Sequence, residues 1–344
     1  MSFNKRLATG AGVAEPQFKV QAFTGNRPNS QSITGVGFEP AMVIVKLLAA
    51  SGYGAVLANQ VRGAQKFLDT TSTAAEVSAS NSLTSFDSDG FSVGGYGNWN
   101  GGLSGANGDM ISYSFKKGTD FSGNSNGSIT SSGNANNDLG ISIVDFTGTG
   151  ANATVGHGLS STPEMYIVKS YDTAGRNWSV FHQSQGNDKA AFLHTDGAFN
   201  TTSGWGYGSG TFWNTTSPTS TTISLGSIAD MNGSGNKFLA FCFASKAGVL
   251  KVGSYSGSNS NFQVTTGFQP SFVMVKNATV ASTDWTVFDD QKSGFINFND
   301  NSAMTGSIGS FLSFTATGFE LVGNSGNNVN TATNSPSYIY LAIK

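Results

Sequence analysis

The sequence predicts an all-β protein: three tandem β-sandwich domains of the jelly-roll or lectin-like kind, preceded by a short extended N-terminal arm. Three observations lead there. A proline-led apolar burst ending in lysine occurs three times, as Phe38-Glu-Pro-Ala-Met-Val-Ile-Val-Lys46, Ser161-Thr-Pro-Glu-Met-Tyr-Ile-Val-Lys169 and Phe268-Gln-Pro-Ser-Phe-Val-Met-Val-Lys276. Repetition on this scale marks a copied folding unit. The bursts are short, rich in β-branched residues and bounded by proline and glycine, as strands are. Asp-Gly, Asn-Gly and Ser-Gly pairs punctuate the chain at turn-like intervals. A helical period is hard to find; the best candidate, 72–79, reads equally as a turn plus a strand.

Taken in order, residues 1–16 form an arm that ends at Pro16 and mixes apolar and basic residues in Phe3, Lys5, Arg6 and Leu7. The first sandwich is placed at 17–117, from the Phe23-Thr-Gly25 turn to the alternating run Ile111-Ser-Tyr-Ser-Phe-Lys116. A Gly/Asn/Ser tract follows. Its composition is that of a linker, placed at 118–127, with Ile129 able to add one edge strand. The second sandwich, 128–247, runs from Phe146-Thr-Gly148 to Phe238-Leu-Ala-Phe-Cys-Phe243. The third, 248–344, runs from Tyr255-Ser-Gly257 to Tyr338-Ile-Tyr-Leu-Ala-Ile-Lys344. Trp178 and Trp285 both stand nine positions after the repeat lysine, and this recurrence assigns them to cores; copy one has Ala55 there. Each unit is expected to close its own apolar interior between two sheets.

Composition narrows the function. Only 11% of residues are charged, with 18 Lys+Arg against 20 Asp+Glu. That balance lacks the basic footprint of a nucleic-acid binder. No run approaches the roughly 20 apolar residues needed for a membrane-spanning helix, and the first residues lack the apolar core of a signal peptide. A single cysteine, Cys242, excludes an internal disulfide and sits in a strand-like run as a buried, inert thiol.

Motifs for chemistry are weak. Asp87-Ser-Asp-Gly90 resembles the start of a calcium loop, but position 12 is Asn98 and copy three has Thr315 and Thr317 instead, so a turn is the reading. His157, His182 and His194 are dispersed, and no metal site is assigned to them. No Gly-x-Ser-x-Gly elbow occurs, and the adjacent acids Asp289-Asp290 lie beside core-like Trp285-Thr-Val-Phe288. No cofactor, metal or catalytic residue is assigned. Aromatics in Gly/Asn-rich loops remain: Tyr96 and Trp99 in Gly94-Gly-Tyr-Gly-Asn-Trp-Asn100, and Trp205 and Tyr207 in Ser203-Gly-Trp-Gly-Tyr-Gly208. Such rings can stack on a sugar or a partner protein, or tuck over their own sandwich.

Several unusual blocks occur together: Thr-Gly-x-Gly-Phe-x-Pro-x-x-Val-x-Val-Lys46, Val61-Arg-Gly-Ala64, Ser72-Thr-Ala-Ala-Glu76, Ser85-Phe-Asp-Ser-Asp-Gly-Phe91 and Gly148-Thr-Gly-Ala-Asn-Ala-Thr-Val-Gly-His-Gly158. In this order they resemble a family of virion structural proteins of marine tailed phages, often labelled tail-fibre or lectin-like, from about residue 18 onward. The resemblance implies concanavalin-like β-sandwich units in a phage particle. The expectation is a non-enzymatic virion surface protein, made in the host cytoplasm, that serves as a capsid decoration or knob or as a tail-associated fibre component. Its expected partners are other virion proteins and further copies of itself, with the arm as an anchor. The alternative is an adhesin that recognises host surface glycans through the four loop aromatics.

Overall fold

The computed structural model describes residues 15–102, 108–207, 211–326, 328–333 and 336–344. The arm residues Phe3, Lys5, Arg6 and Leu7 lie outside the described residues. Among the described residues, helix is confined to Ala229–Asn232 and two single 3-10 turns, and everything else regular is β. The 72–79 segment is a turn followed by a two-residue strand, Val77–Ser78.

Each proline-led burst is a central strand of a large antiparallel sheet. In the first sheet the order is Phe18–Thr24, Asp109–Lys116, Pro40–Leu47, Val56–Asn59, Lys66–Asp69, Val77–Ser78. The third repeats it as Leu250–Ser256, Ser337–Ile343, Phe272–Asn277, Thr286–Asp289, Ile296–Asn297. The second has the same centre, with Met165–Ser170 between Lys237–Phe243 and Ser179–His182, but eight strands in all. Register is repeated as well: Ile44 faces Tyr113, Ile167 faces Phe241 and Met274 faces Leu341. A small sheet covers the outer face of each large one. These are Gln31–Thr34 with Gly90–Val93 and Leu83–Asp87; Ala153–Gly156 with Thr222–Leu225; and Phe262–Thr265 with Gly318–Leu321 and Leu312–Thr315.

The two extra strands of the second sheet correct the expected linker. Residues 118–127 are not a flexible connector, because Thr119–Asn124 is the edge strand of that sheet, antiparallel to Ser131–Asn136. The glycines that suggest flexibility mark close backbone approach instead. A Cβ on Gly133 would overlap the Ile143 carbonyl, and one on Gly127 would overlap that of Thr154.

A second correction concerns the interiors. Three outer interiors exist between each large sheet and its cover, but a fourth joins all three copies. The strands explain it by alternation. Along Pro40–Leu47, Val43, Val45 and Leu47 face the outer interior while Met42 and Ile44 face the shared one. Tyr166 and Val168 oppose Met165 and Ile167 in the same way, as Val273 and Val275 oppose Phe272 and Met274. Strands buried on both faces read as unbroken apolar runs. Each large apolar side chain so buried contributes about 1.5–3 kcal/mol, so the shared interior is a main source of cohesion between the copies. Trp178 and Trp285 do lie in a core, and it is this shared one.

Polar contacts close the copies into a ring. The Lys46 ammonium donates to Tyr53 O (2.7 Å) in its own copy and to Asp300 O (3.1 Å) in copy three. Lys169 donates to Ser170 O (2.8 Å) and Arg176 O (3.1 Å) and reaches Thr73 O of copy one at 3.5 Å. Lys276 donates to Thr283 O (2.7 Å) and to Asp196 O of copy two (3.3 Å). The tryptophans point the same way round: Trp178 Nε1 donates to Ser72 O (3.0 Å) and Trp285 Nε1 to Phe192 O (3.1 Å). Copy one, with Ala55 at that position, uses the Thr70 hydroxyl, 2.7 Å from Phe298 O.

Candidate functional site

In so uncharged a chain, the places where charge gathers are informative. The clearest is a groove where copies one and two meet. Arg62 follows the Val56–Asn59 strand, and its Nε and Nη2 donate to the two carboxylate oxygens of Glu76 at 3.0 and 3.2 Å. This two-point geometry suits the planar guanidinium. Its Cζ lies 3.7 Å above the Tyr171 ring and its Nη1 lies 3.7 Å from Asp145 Oδ2, both across the junction. The Tyr171 hydroxyl donates to Asp145 at 3.2 Å, and the Glu76 amide donates to Tyr171 O at 2.8 Å.

Burial shapes the electrostatics of this cluster. It pushes the Asp145 carboxyl above its ordinary value, against the pull of the Tyr171 hydrogen bond and the Arg62 charge. It also raises the Tyr171 phenol, with the Asp145 charge adding to the rise. For Arg62, burial is the largest single influence and opposes the charge, but Glu76, Tyr171 and Asp145 together outweigh it and the guanidinium is held more firmly protonated. Beside the cluster opens a groove of about 380 Å³, bordered by Asp145, Tyr171 and exposed Lys237 and by the hydroxyl residues Thr130, Ser132 and Thr147. It offers a carboxylate acceptor, an ammonium donor and several hydroxyls. Of the two aromatic rings in its lining, Tyr171 is covered by the guanidinium and Phe146 is buried, so the groups the groove presents are hydrogen-bonding ones.

For the loop aromatics, open in the sequence between stacking on a ligand and tucking over their own sandwich, the structure shows inward packing. Trp99 is fully buried in the outer interior of copy one, edge-on to Phe67 at 6.0 Å, and presents no surface for a ligand. The glycines around it let the loop fold inward; a Cβ on Gly95 would overlap Pro28 O. Tyr96 is half-buried and edge-on to the same Phe67 at 5.2 Å. Trp205 lies on Phe192 at 4.6 Å with Nε1 donating to Ala190 O (2.8 Å). The Tyr207 hydroxyl is held by Asp230 and accepts from Asn177 Nδ2 at 2.7 Å. The loops tuck over their own sandwiches, and the structure does not bring the four rings together on one face.

Other candidates resolve into structural contacts. Asp89 accepts from the amides of Gly35 (3.1 Å) and Gly37 (2.6 Å), and Asp87 accepts from Ser92 Oγ (2.7 Å), which is turn chemistry. His157 is buried, with Nδ1 accepting from the Leu159 amide at 3.1 Å. Asp289 is buried against Lys292, which it pairs with, and accepts from the Tyr113 hydroxyl at 2.7 Å, whereas Asp290 is exposed. No group of three or more metal-ligating side chains occurs among the described residues. Cys242 is buried and its thiol is pushed up to about 12 by desolvation.

The groove was missed in the sequence because its members are far apart in the chain and belong to different copies. Arg62 stands in the Val61-Arg-Gly-Ala64 block, and a lone arginine among uncharged residues was the available signal.

No curated protein matches the chain. The family DUF7483, described as a domain of unknown function, matches residues 15–344, so one family unit spans all three copies and the interior they share. The chain belongs to the DUF7483 family.

Proposed function

We propose that this protein is a structural component of a bacteriophage particle surface, acting as a decoration, knob or tail-associated fibre element without catalytic activity. The observation that carries the reading is the closed ring. Three copies are fastened by a shared apolar interior and by buried lysines and indoles, each reaching into the preceding copy. Such a body resists shear because no copy can leave without exposing the common interior. The family resemblance of the repeated blocks supports the same role. Other virion proteins and further copies of this chain are its partners in this reading, with residues 1–16 as the attachment arm.

The test is immunogold labelling of intact particles with antibody to this protein, beside mass spectrometry of purified particles. Label at a fixed site on capsid or tail is the expected result; absence from particles rejects the proposal. Deleting residues 1–16 is expected to abolish incorporation while leaving the folded part intact.

A second reading, glycan adhesion, is favoured by the groove, whose Asp145, Lys237 and flanking hydroxyls offer polar groups of both kinds. Saturable binding on a glycan array, lost in the Asp145→Asn, Lys237→Ala double variant, is its expected signature. A folded protein that binds no glycan removes it.

A further inference from the structure

We propose that the shared interior holds a binding site for one small, uncharged, apolar molecule of the size of a xenon atom or methane. A cavity of about 40 Å³ lies where the three copies meet. Copy one contributes Ile44 and Leu57 to its wall, copy two Trp178 and Phe241, and copy three Met274 and Leu341. All six are buried, and no polar atom faces the space. The one polar side chain in the wall, Thr70, points its hydroxyl at the Ala55 and Phe298 carbonyls, 3.0 and 2.7 Å away.

The cavity has a cause in the repeat. Copies two and three place an indole at the ninth position after the lysine, while copy one has Ala55. Leu57, Thr70 and Phe298, which border the void, belong to the junction where that third indole is missing. Water gains little there, because a buried water needs about 2–4 polar partners and this wall supplies none. An engineered cavity of roughly 150 Å³ with comparable walls stays dry and takes up benzene or xenon. At about 40 Å³ benzene is excluded and a single small apolar molecule fits.

Diffraction from crystals of the whole protein, with and without xenon pressure, tests this. The expected result is one xenon peak against Trp178, Phe241 and Leu341, an empty site at ambient pressure, and loss of the peak in Leu57→Phe, which grows into the void. Met274→Phe fills it from copy three should the first variant fail to fold. Ordered water in the ambient cavity, no xenon in the wild type, or xenon retained at the same place in a folded filling variant would overturn the proposal.

Discussion

Raising the pH from 7 to 9 is expected to stabilise this protein, and the three repeat lysines are the reason. Lys46, Lys169 and Lys276 are fully buried. Desolvation pulls Lys46 and Lys169 to about 8 and Lys276 to about 7, against 10.5 in an open chain. A lowered amine pKa means that, in this window, the unfolded chain binds more protons than the fold. Stability therefore climbs with pH. The limit is about 1.4 kcal/mol per pH unit and per group. Between pH 7 and 9 this amounts to about 2 kcal/mol for Lys276 and about 1 kcal/mol for each of the others. The sum of about 4 kcal/mol corresponds to roughly 5 °C in Tm, given about 2.1 cal/mol/K of unfolding entropy per residue. Scanning calorimetry at matched ionic strength reads this directly. In Lys276→Met, which keeps the length and loses the titration, the rise should shrink by about half. Above pH 9 the rise is progressively offset, because Cys242 and the buried tyrosines Tyr113, Tyr166 and Tyr255 hold their protons in the fold while the unfolded chain releases them. A Tm that is flat or falling from pH 7 to 9, or a rise unchanged in Lys276→Met, would refute the reasoning.

Thr70→Val keeps the shape but strands the Phe298 carbonyl, and is expected to lower stability by about 1–3 kcal/mol in denaturant titration. Trp99→Ala removes a fully buried indole and is expected to cost about 3–5 kcal/mol, with any glycan affinity unchanged in the fraction that remains folded. On the acid side, burial holds His182 and His194 at about 4 against 6.5 in the open chain. Their contribution is complete above pH 6.5 and is lost as pH falls toward 4, measurable as a declining Tm. Cys242 in the native protein should resist alkylation by a thiol reagent at pH 8 and react on unfolding, since burial keeps its thiol protonated.

Much of the sheet architecture was legible because strands announce themselves locally. Proline and glycine bound each burst, and the Asp109–Lys116, Lys237–Phe243 and Ser337–Ile343 strands alternate visibly in sequence. The unbroken Met42-Val-Ile-Val45 run is buried on both faces, and the run alone does not say what covers the second face. The Gly/Asn-rich stretch at 118–127 misled because glycine serves flexibility and close backbone contact equally well, and only the Ala135 carbonyl against Gly118 and the Thr154 carbonyl against Gly127 distinguish them. Trp99 stayed open in the sequence for a similar reason: a polar, glycine-rich loop can extend or fold inward, and Pro28 and Phe67 decide which.

By itself the sequence determined that one β unit was copied three times, where its central strands run, and that two tryptophans pack inside. Those are properties of short stretches, set by periodicity and turn chemistry. Tertiary structure alone decided that the copies share an interior, that each repeat lysine is buried against a neighbour's carbonyl, and that Arg62 meets Asp145 and Tyr171. Such contacts join residues about 80 to 250 positions apart, and only the packing of whole sheets brings them within reach.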